Sequence, residues 1–453
     1  MFDYWKKHKF SLLFIIASIL FYFSFGYDLE RTDFIKLISL YIALFYFFYK
    51  IIVFEKSNFL LLLIFGITAR LVFIGATPNL SQDFYRFIWD GKLILNDINP
   101  YLHTPNELIS KDLFSSEVFK TLYNGMGNLS ASHYSNYPPV NQLLFFLSAF
   151  FGGESLLGNI ITLRLFIILA DIGILYFGLK IISLLKLPKH QIFWYFLNPF
   201  IAIELTGNLH FEGVMLFFLV AALYFILKNK WILGAVLIAI SISVKLLPLL
   251  LLPLFLRWFI KDSKQLKASV LKLTAFYFIV GIGILATFLP FISSELINNY
   301  SATIGLWFRK FEFNASIYYI VREIGFYTKG YNIIETAGFR MAITVLLFII
   351  SLAIFRKNNQ PKTLIVSMLM AVTFYFFMST TVHPWYIATP LILCVFTNYK
   401  YPIIWSLVVA LSYYAYSQSI FKENLWIVAL EYIIIYSYFL LEVFIKKPLL
   451  KHL

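Results

Sequence analysis

Two stretches of this chain carry residue types and spacings that could do chemistry. The first reads PNLSQDFYRFIWDGKLILNDINPYLH, with Asp83, Arg86, Asp90 and Lys92 at spacings of three, four and two. On a helix the first three share one face. A carboxylate held on such a face could take the proton of a reacting hydroxyl. A solvated interfacial helix laced by ion pairs, each contributing about 0.3–0.5 kcal/mol, explains the spacing as well. Spacing alone leaves both readings open. The second stretch, NPFIAIELTGNLHFEG, gathers Glu204, Asn208, His210 and Glu212 between two apolar runs. A charge near a bilayer centre costs at least about 2.5–3.5 kcal/mol on insertion scales, so such groups face a cavity or a partner. A plain turn needs Gly and Asn, not two acids and a histidine. Here function is the stronger reading.

Other residues pose narrower choices. Lys245, in SISVKLLPLLLLP, has no charge within ten residues on either side. It is either a snorkelling lysine or a cation held against an anion such as a phosphate. Arg70, in ITARLVF, poses the same choice. In HYSNYPPVNQLLFF, Pro138 and Pro139 stiffen the entry to a helix and force Tyr137 to be extended. His383 and Trp385, in STTVHPWYIATP, read by themselves as an aromatic belt with a turn proline. The single cysteine, Cys394, lies in an apolar run, which excludes an intrachain disulfide and gives no CxxC pair or zinc site. No Gly-rich phosphate loop is present, so ATP-driven transport has no support.

The elements that must position these residues are membrane helices. Of the 453 residues 60% are hydrophobic and 13% charged, with a mean hydropathy of +0.80. A soluble domain could not cover that much apolar side chain. The net charge of +14 then belongs to lysines that hold cytoplasmic loops, and a nucleic-acid partner is not implied. Apolar runs predict spans near 10–27, 34–54, 59–77, 161–182, 191–207, 211–227, 231–245, 246–260 and 268–289. Further spans fall near 336–355, 362–380, 385–397, 402–417 and 425–445. The total is about fourteen helices.

Basic clusters fix the orientation. Lys6, Lys7 and Lys9, then Lys50 and Lys56, then Lys180, Lys186 and Lys189, then Arg257, Lys261, Lys264 and Lys267 all fall on the cytoplasmic side, as do both termini. The N-terminus reads as a retained first helix. Residues 78–160 and about 290–335 then lie outside, the first holding a short helix near 140–151 that is too short to span. The sequence predicts an all-α polytopic membrane protein with one membrane domain, 1–453. Within it 1–58 are extra N-terminal helices, 59–290 a core module with the outer loop 78–160, and 291–453 a second outer loop with C-terminal helices. Loops on a rigid scaffold are where chemistry concentrates, so the site is expected on the outer face. Arg70, Asp83, Asp90, His210, Glu212 and His383 are all placed there.

These motifs resemble a family. SQDFYRFIWDG followed by NPY and NYPPVNQLLFF is similar to the first outer loop of bacterial polyprenyl-phosphate-sugar-dependent glycosyltransferases of the GT-C class. The nearest likeness is to the mannosyltransferase-like branch. LNPFIAIELTGNLHFEG resembles that branch's N-P-L…E…G-x-x-H-x-D segment, and SVKLLPLLLLP and HPWYI have counterparts. The likeness covers about residues 65–260 well and 380–390 weakly. It implies a GT-C-like fold in the bacterial cytoplasmic membrane and a sugar, mannose by this branch, carried on a polyprenyl phosphate. The acceptor would be a lipid or glycan. By position, Asp83 would be the general base and Asp90 a supporting or acceptor-binding group. Tyr85, Arg86, Trp89, Tyr137, Asn208, His210 and Glu212 would line the site, with Arg70, Lys245 and His383 as further substrate-binding groups. The family's paired acids are here Gln82 and Asp83. One carboxylate is missing, which argues against a divalent metal, and no cofactor is expected.

The chemistry is consistent with that likeness. A phosphate leaving group needs no general acid. Cations such as Arg70, Lys245 or Arg309 could stabilise its charge. One carboxylate as base and none as nucleophile predicts inversion at the anomeric carbon. Rival readings are a lipid or polysaccharide transporter, which would show broken helices in matching halves, and a lipid-diphosphate-dependent polymerase or ligase.

Overall fold

The computed structural model describes residues 2–260, 265–418 and 420–445. Lys261, Lys264, the terminal KKPLLKHL and the side chains of Lys6 and Arg309 lie outside the described residues. Among the described residues the chain is all-helical, with no strand beyond an isolated bridge of Phe313 to Thr381.

Among the described residues seven helices are long and apolar enough to cross a membrane: Lys7–Tyr27, Phe34–Glu55, Leu156–Leu184, Leu266–Phe291, Ile334–Phe355, Pro361–Met378 and Leu425–Phe444. At 1.5 Å per residue they run from about 27 to about 44 Å, against a hydrocarbon core of about 30 Å. A broken pair, Ile201–Gly207 and Glu212–Leu227, makes an eighth if it is one span. The protein is therefore a multi-pass membrane protein by its helices. Fourteen full spans are not what this shows. Five of the runs expected to span are shorter apolar helices, such as Phe59–Leu71 and Trp231–Val244.

Proline explains several of these. Pro248 and Pro253 lack the N–H that a regular helix needs, and Leu247–Phe255 winds as a 3₁₀ helix. Near Pro199 the expected 191–207 helix divides into Phe193–Phe196 and a π-helix, Ile201–Gly207. Other elements start where side chains cap them. Asp33 accepts from the Lys36 N–H and Asn58 from the Leu61 N–H, satisfying donors that a helix start leaves open.

The chain forms two compact units. The first comprises Met1–Leu80, Gly178–His210 and His383–Leu453. Polar ties hold its helices together. The Tyr41 hydroxyl donates to Ser406 O at 2.8 Å, and Asn198 Nδ2 to Ser406 Oγ at 3.0 Å. Asn79 Nδ2 donates to Phe25 O and Leu29 O. The buried Glu442 carboxylate accepts the backbone N–H groups of Lys400 and Tyr401, capping helix Tyr401–Val408.

The second unit comprises Ser81–Phe177 and Phe211–Val382. Most of the segment 78–160, expected outside from the sequence, lies here and is more helical than expected, with Asp83–Leu95, Pro105–Leu108 and Glu117–Ala131 ahead of Pro139–Gly152. Pro139 takes the first helical position, where its missing N–H costs nothing. Asp83–Leu95 and Pro139–Gly152 touch backbone to backbone. A Cβ on Gly91 would lie 2.1 Å from Phe145 O, so only glycine fits there. The apolar face of Asp83–Leu95 sits in an aromatic nest: Phe87 stacks on Phe145 at 4.6 Å and meets Tyr137 edge-on, while Trp89 packs on Phe114 and Phe119. Within the long span Leu156–Leu184, Arg164 and Asp171 are fully buried.

Candidate active-site residues

Asp83 opens the helix Asp83–Leu95, its N–H held by Ser81 Oγ at 3.3 Å, and it is half-buried. The helix N-terminus favours a negative charge at this place. The preceding Gln82 is anchored through Nε2 to Met126 O at 3.1 Å. Gly127, at φ 75°, kinks the chain there, and a Cβ on it would meet Gln82 Nε2 at 2.8 Å. The base candidate therefore has a fixed backbone.

Two turns on, the same helix does something different. Asp90 is wholly buried and its oxygens are engaged: Oδ1 accepts from Arg86 Nε at 2.7 Å, Oδ2 from Ser135 Oγ at 2.5 Å and Gln142 Nε2 at 3.0 Å. Arg86 Nη1 in turn donates to Ser130 O and His133 O. Arg86 and Asp90 thus stitch three parts of the outer segment together. Trp89 is core. Tyr85 packs against Gly125, where a Cβ would sit 2.7 Å from its ring. The Tyr137 carbonyl accepts from the buried Tyr101 hydroxyl at 2.6 Å. Burial holds that Tyr101 phenol well above its usual range, with Tyr300 and Asp90 adding to the shift.

Also in this unit, Lys245 Nζ lies 2.6 Å from Glu212 Oε1. The spanning lysine of the sequence reading proves to sit at a break, extended at φ −148° and ψ 141° just after helix Trp231–Val244. Its partner is a carboxylate.

The remaining expected residues belong to the first unit. Arg70 Nη1 donates to Gly66 O at 2.9 Å and Phe196 O at 2.8 Å, with its guanidinium 4.1 Å from the Phe196 ring centroid. That is a clamp between two helical segments. Asn208 closes the π-helix: Nδ2 donates to Ile203 O, and Oδ1 accepts from the Leu80 N–H at 3.0 Å. The next residue, Leu209, has φ 62°. His210 stacks on Trp385 at 3.7 Å and 17°, and His383 stacks on the same indole at 4.5 Å and 4°. One face has no room for both imidazoles, so Trp385 is sandwiched. Buried Glu204 lies 3.9 Å from His210 Nε2 and accepts from the Tyr413 hydroxyl at 2.8 and 2.9 Å. Trp385 thus brings His210 and His383 together.

Sequence reasoning missed Ser135 and Gln142 as partners of Asp90, Tyr413 as partner of Glu204, and the buried Arg164 and Asp171. For the last two a signal existed: opposite charges seven residues apart share a helix face within an apolar run. Among the described residues no group of three or more His, Cys, Asp or Glu is placed to hold a metal.

The all-helical fold with its long apolar helices defines a multi-pass membrane protein, and it positions an acidic helix at Asp83–Leu95. Residues 70–261 match the family model described as alpha-(1->6)-mannopyranosyltransferase, N-terminal domain, a GT-C type mannosyltransferase family. The match covers less than half of the chain and takes in all the residues above from Arg70 to Lys245. It does not reach His383. No curated protein matches the chain.

Proposed function

We propose that this protein transfers a mannosyl group from a polyprenyl-phosphate donor to a lipid or glycan acceptor at the outer face of the bacterial cytoplasmic membrane. Both termini are on the cytoplasmic side in this reading. Asp83 is the general base. It accepts the proton of the acceptor hydroxyl as that oxygen attacks the anomeric carbon. The bond from that carbon to the phosphate oxygen breaks, and polyprenyl phosphate departs with the electron pair. The donor is already activated as a phosphate ester, so no cofactor or metal is invoked. With no second carboxylate as nucleophile, the product is inverted.

One observation carries the assignment of the base. Of the two acids on helix Asp83–Leu95, Asp90 is sealed and saturated, while Asp83 is half-exposed at the helix start. A broken pair of apolar helices also supports the transporter reading, yet no matching broken pair accompanies it among the described residues. The test is direct. Purified protein in lipid, given polyprenyl-phosphate-[14C]mannose and membrane extract, should transfer label, and Asp83→Asn should not. Equal transfer by both removes Asp83 as base. No transfer by wild type with any lipid-linked sugar favours the transporter.

A further inference from the structure

Two buried ion pairs of this unit each leave an atom unpartnered, but on opposite sides: Arg86–Asp90 leaves a guanidinium nitrogen, Arg86 Nη2, whereas Glu212–Lys245 leaves a carboxylate oxygen. Glu212 is 2% exposed and Lys245 22%. Oε1 takes the ammonium, but Oε2 is shut from solvent with no hydrogen-bond partner. Lys245 has three N–H donors and gives one to the carboxylate. Asp83 belongs to the same compact unit as this pair. The pair therefore leaves one acceptor and two donors unused, and a ligand reaches the covered Oε2 by parting the residues over it.

The sequence alone left Lys245 open as a phosphate anchor. The pairing argues otherwise, because a phosphate at this ammonium would meet the Glu212 carboxylate. A neutral ligand with adjacent hydroxyls has no such conflict. One hydroxyl can donate to Glu212 Oε2, and its neighbour can accept from Lys245 Nζ. We infer that Glu212 and Lys245 form a hydroxyl-binding subsite for a hexose. This rests on the glycosyltransferase reading and deepens it. The partial exposure of Lys245 gives the approach.

The experiment is saturation-transfer NMR of methyl α-mannopyranoside on the full chain in lipid nanodiscs. Wild type and Asp83→Asn should both receive transfer. Glu212→Gln and Lys245→Met should weaken binding about tenfold or more, as loss of a charged hydrogen-bond partner does. Inorganic phosphate should not displace the sugar. No transfer to wild type, undiminished transfer in both variants, or displacement by phosphate would each overturn the subsite. If Glu212→Gln fails to melt like wild type, Lys245→Met alone decides. Sugar binding without any transferase activity would sink the function and leave the subsite. Activity with an unchanged KM in Lys245→Met would sink the subsite and leave the function.

Discussion

Asp90 and Glu212 are both carboxylates sealed inside the second unit, and each faces a cation at 2.6–2.7 Å. There the likeness ends. Asp90 accepts three side-chain donors across both oxygens and ties the outer segment to itself. Glu212 keeps one oxygen empty. A saturated buried carboxylate is completed by the protein, and its removal is felt as lost stability. The open Glu212 oxygen is what the proposed hydroxyl subsite would complete.

The comparison can be broken or sharpened by substitution. The largest effect belongs to Asp83, the half-buried carboxylate at the start of helix Asp83–Leu95. Asp83→Asn should lower the transfer rate about 10²–10⁴-fold, the usual worth of a general base, with an unchanged melting curve in detergent. A matching loss of stability would make Asp83 a structural residue like Asp90. Next comes Asp90→Ala, expected to cost about 3–5 kcal/mol by stranding Arg86 in the interior. A thermal melt unchanged from wild type would show that the stitch holds nothing.

Gly91→Ala tests the packing beneath it. The added methyl meets Phe145 O, and the helices must part, at about 1–3 kcal/mol. Retained melting temperature would refute the close approach. The smallest effect is outside both pairs. Asp28 is fully exposed, and its hydrogen bond to Lys36 holds its carboxyl below the usual range. A depressed carboxylate contributes stability above its unfolded pKa, about 3.9, and loses it as pH falls below that. At full exposure the contribution is screened, so Lys36→Met should leave melting unchanged from pH 8 down to pH 5. A resolved drop would mean that this loop is organised beyond what its exposure suggests.

Much of the architecture is legible because hydropathy reports on burial in lipid. Phe34–Glu55 and Ile334–Phe355 are read almost to the residue. The failures have a common cause. Hydropathy counts apolar length and is blind to whether the backbone stays regular, so 246–260 and 191–207 read as spans although Pro248, Pro253 and Pro199 break them. At the site, the acidic helix was legible from spacing, and so was the polar turn around His210. The partners were not. Ser135 lies 45 residues from Asp90 and Tyr413 lies 209 from Glu204, and nothing local marks either as a donor. Lys245 shows the limit most clearly. Its isolation in sequence left a snorkelling lysine and an anion-binding cation equally open, and only the fold reveals the carboxylate beside it.

Arg164 and Asp171, buried in Leu156–Leu184, bear on how the chain is made. A helix leaving the translocon with two charges mid-span partitions poorly into lipid by itself, each charge opposing entry by about 2.5–3.5 kcal/mol. Part of its packing arrives later in synthesis. Gly173 of the same span has Phe217, on helix Glu212–Leu227, so close that a Cβ would meet its ring at 2.4 Å. That contact forms only after a segment some forty residues downstream has emerged, so the final packing of this span is set by a helix made after it.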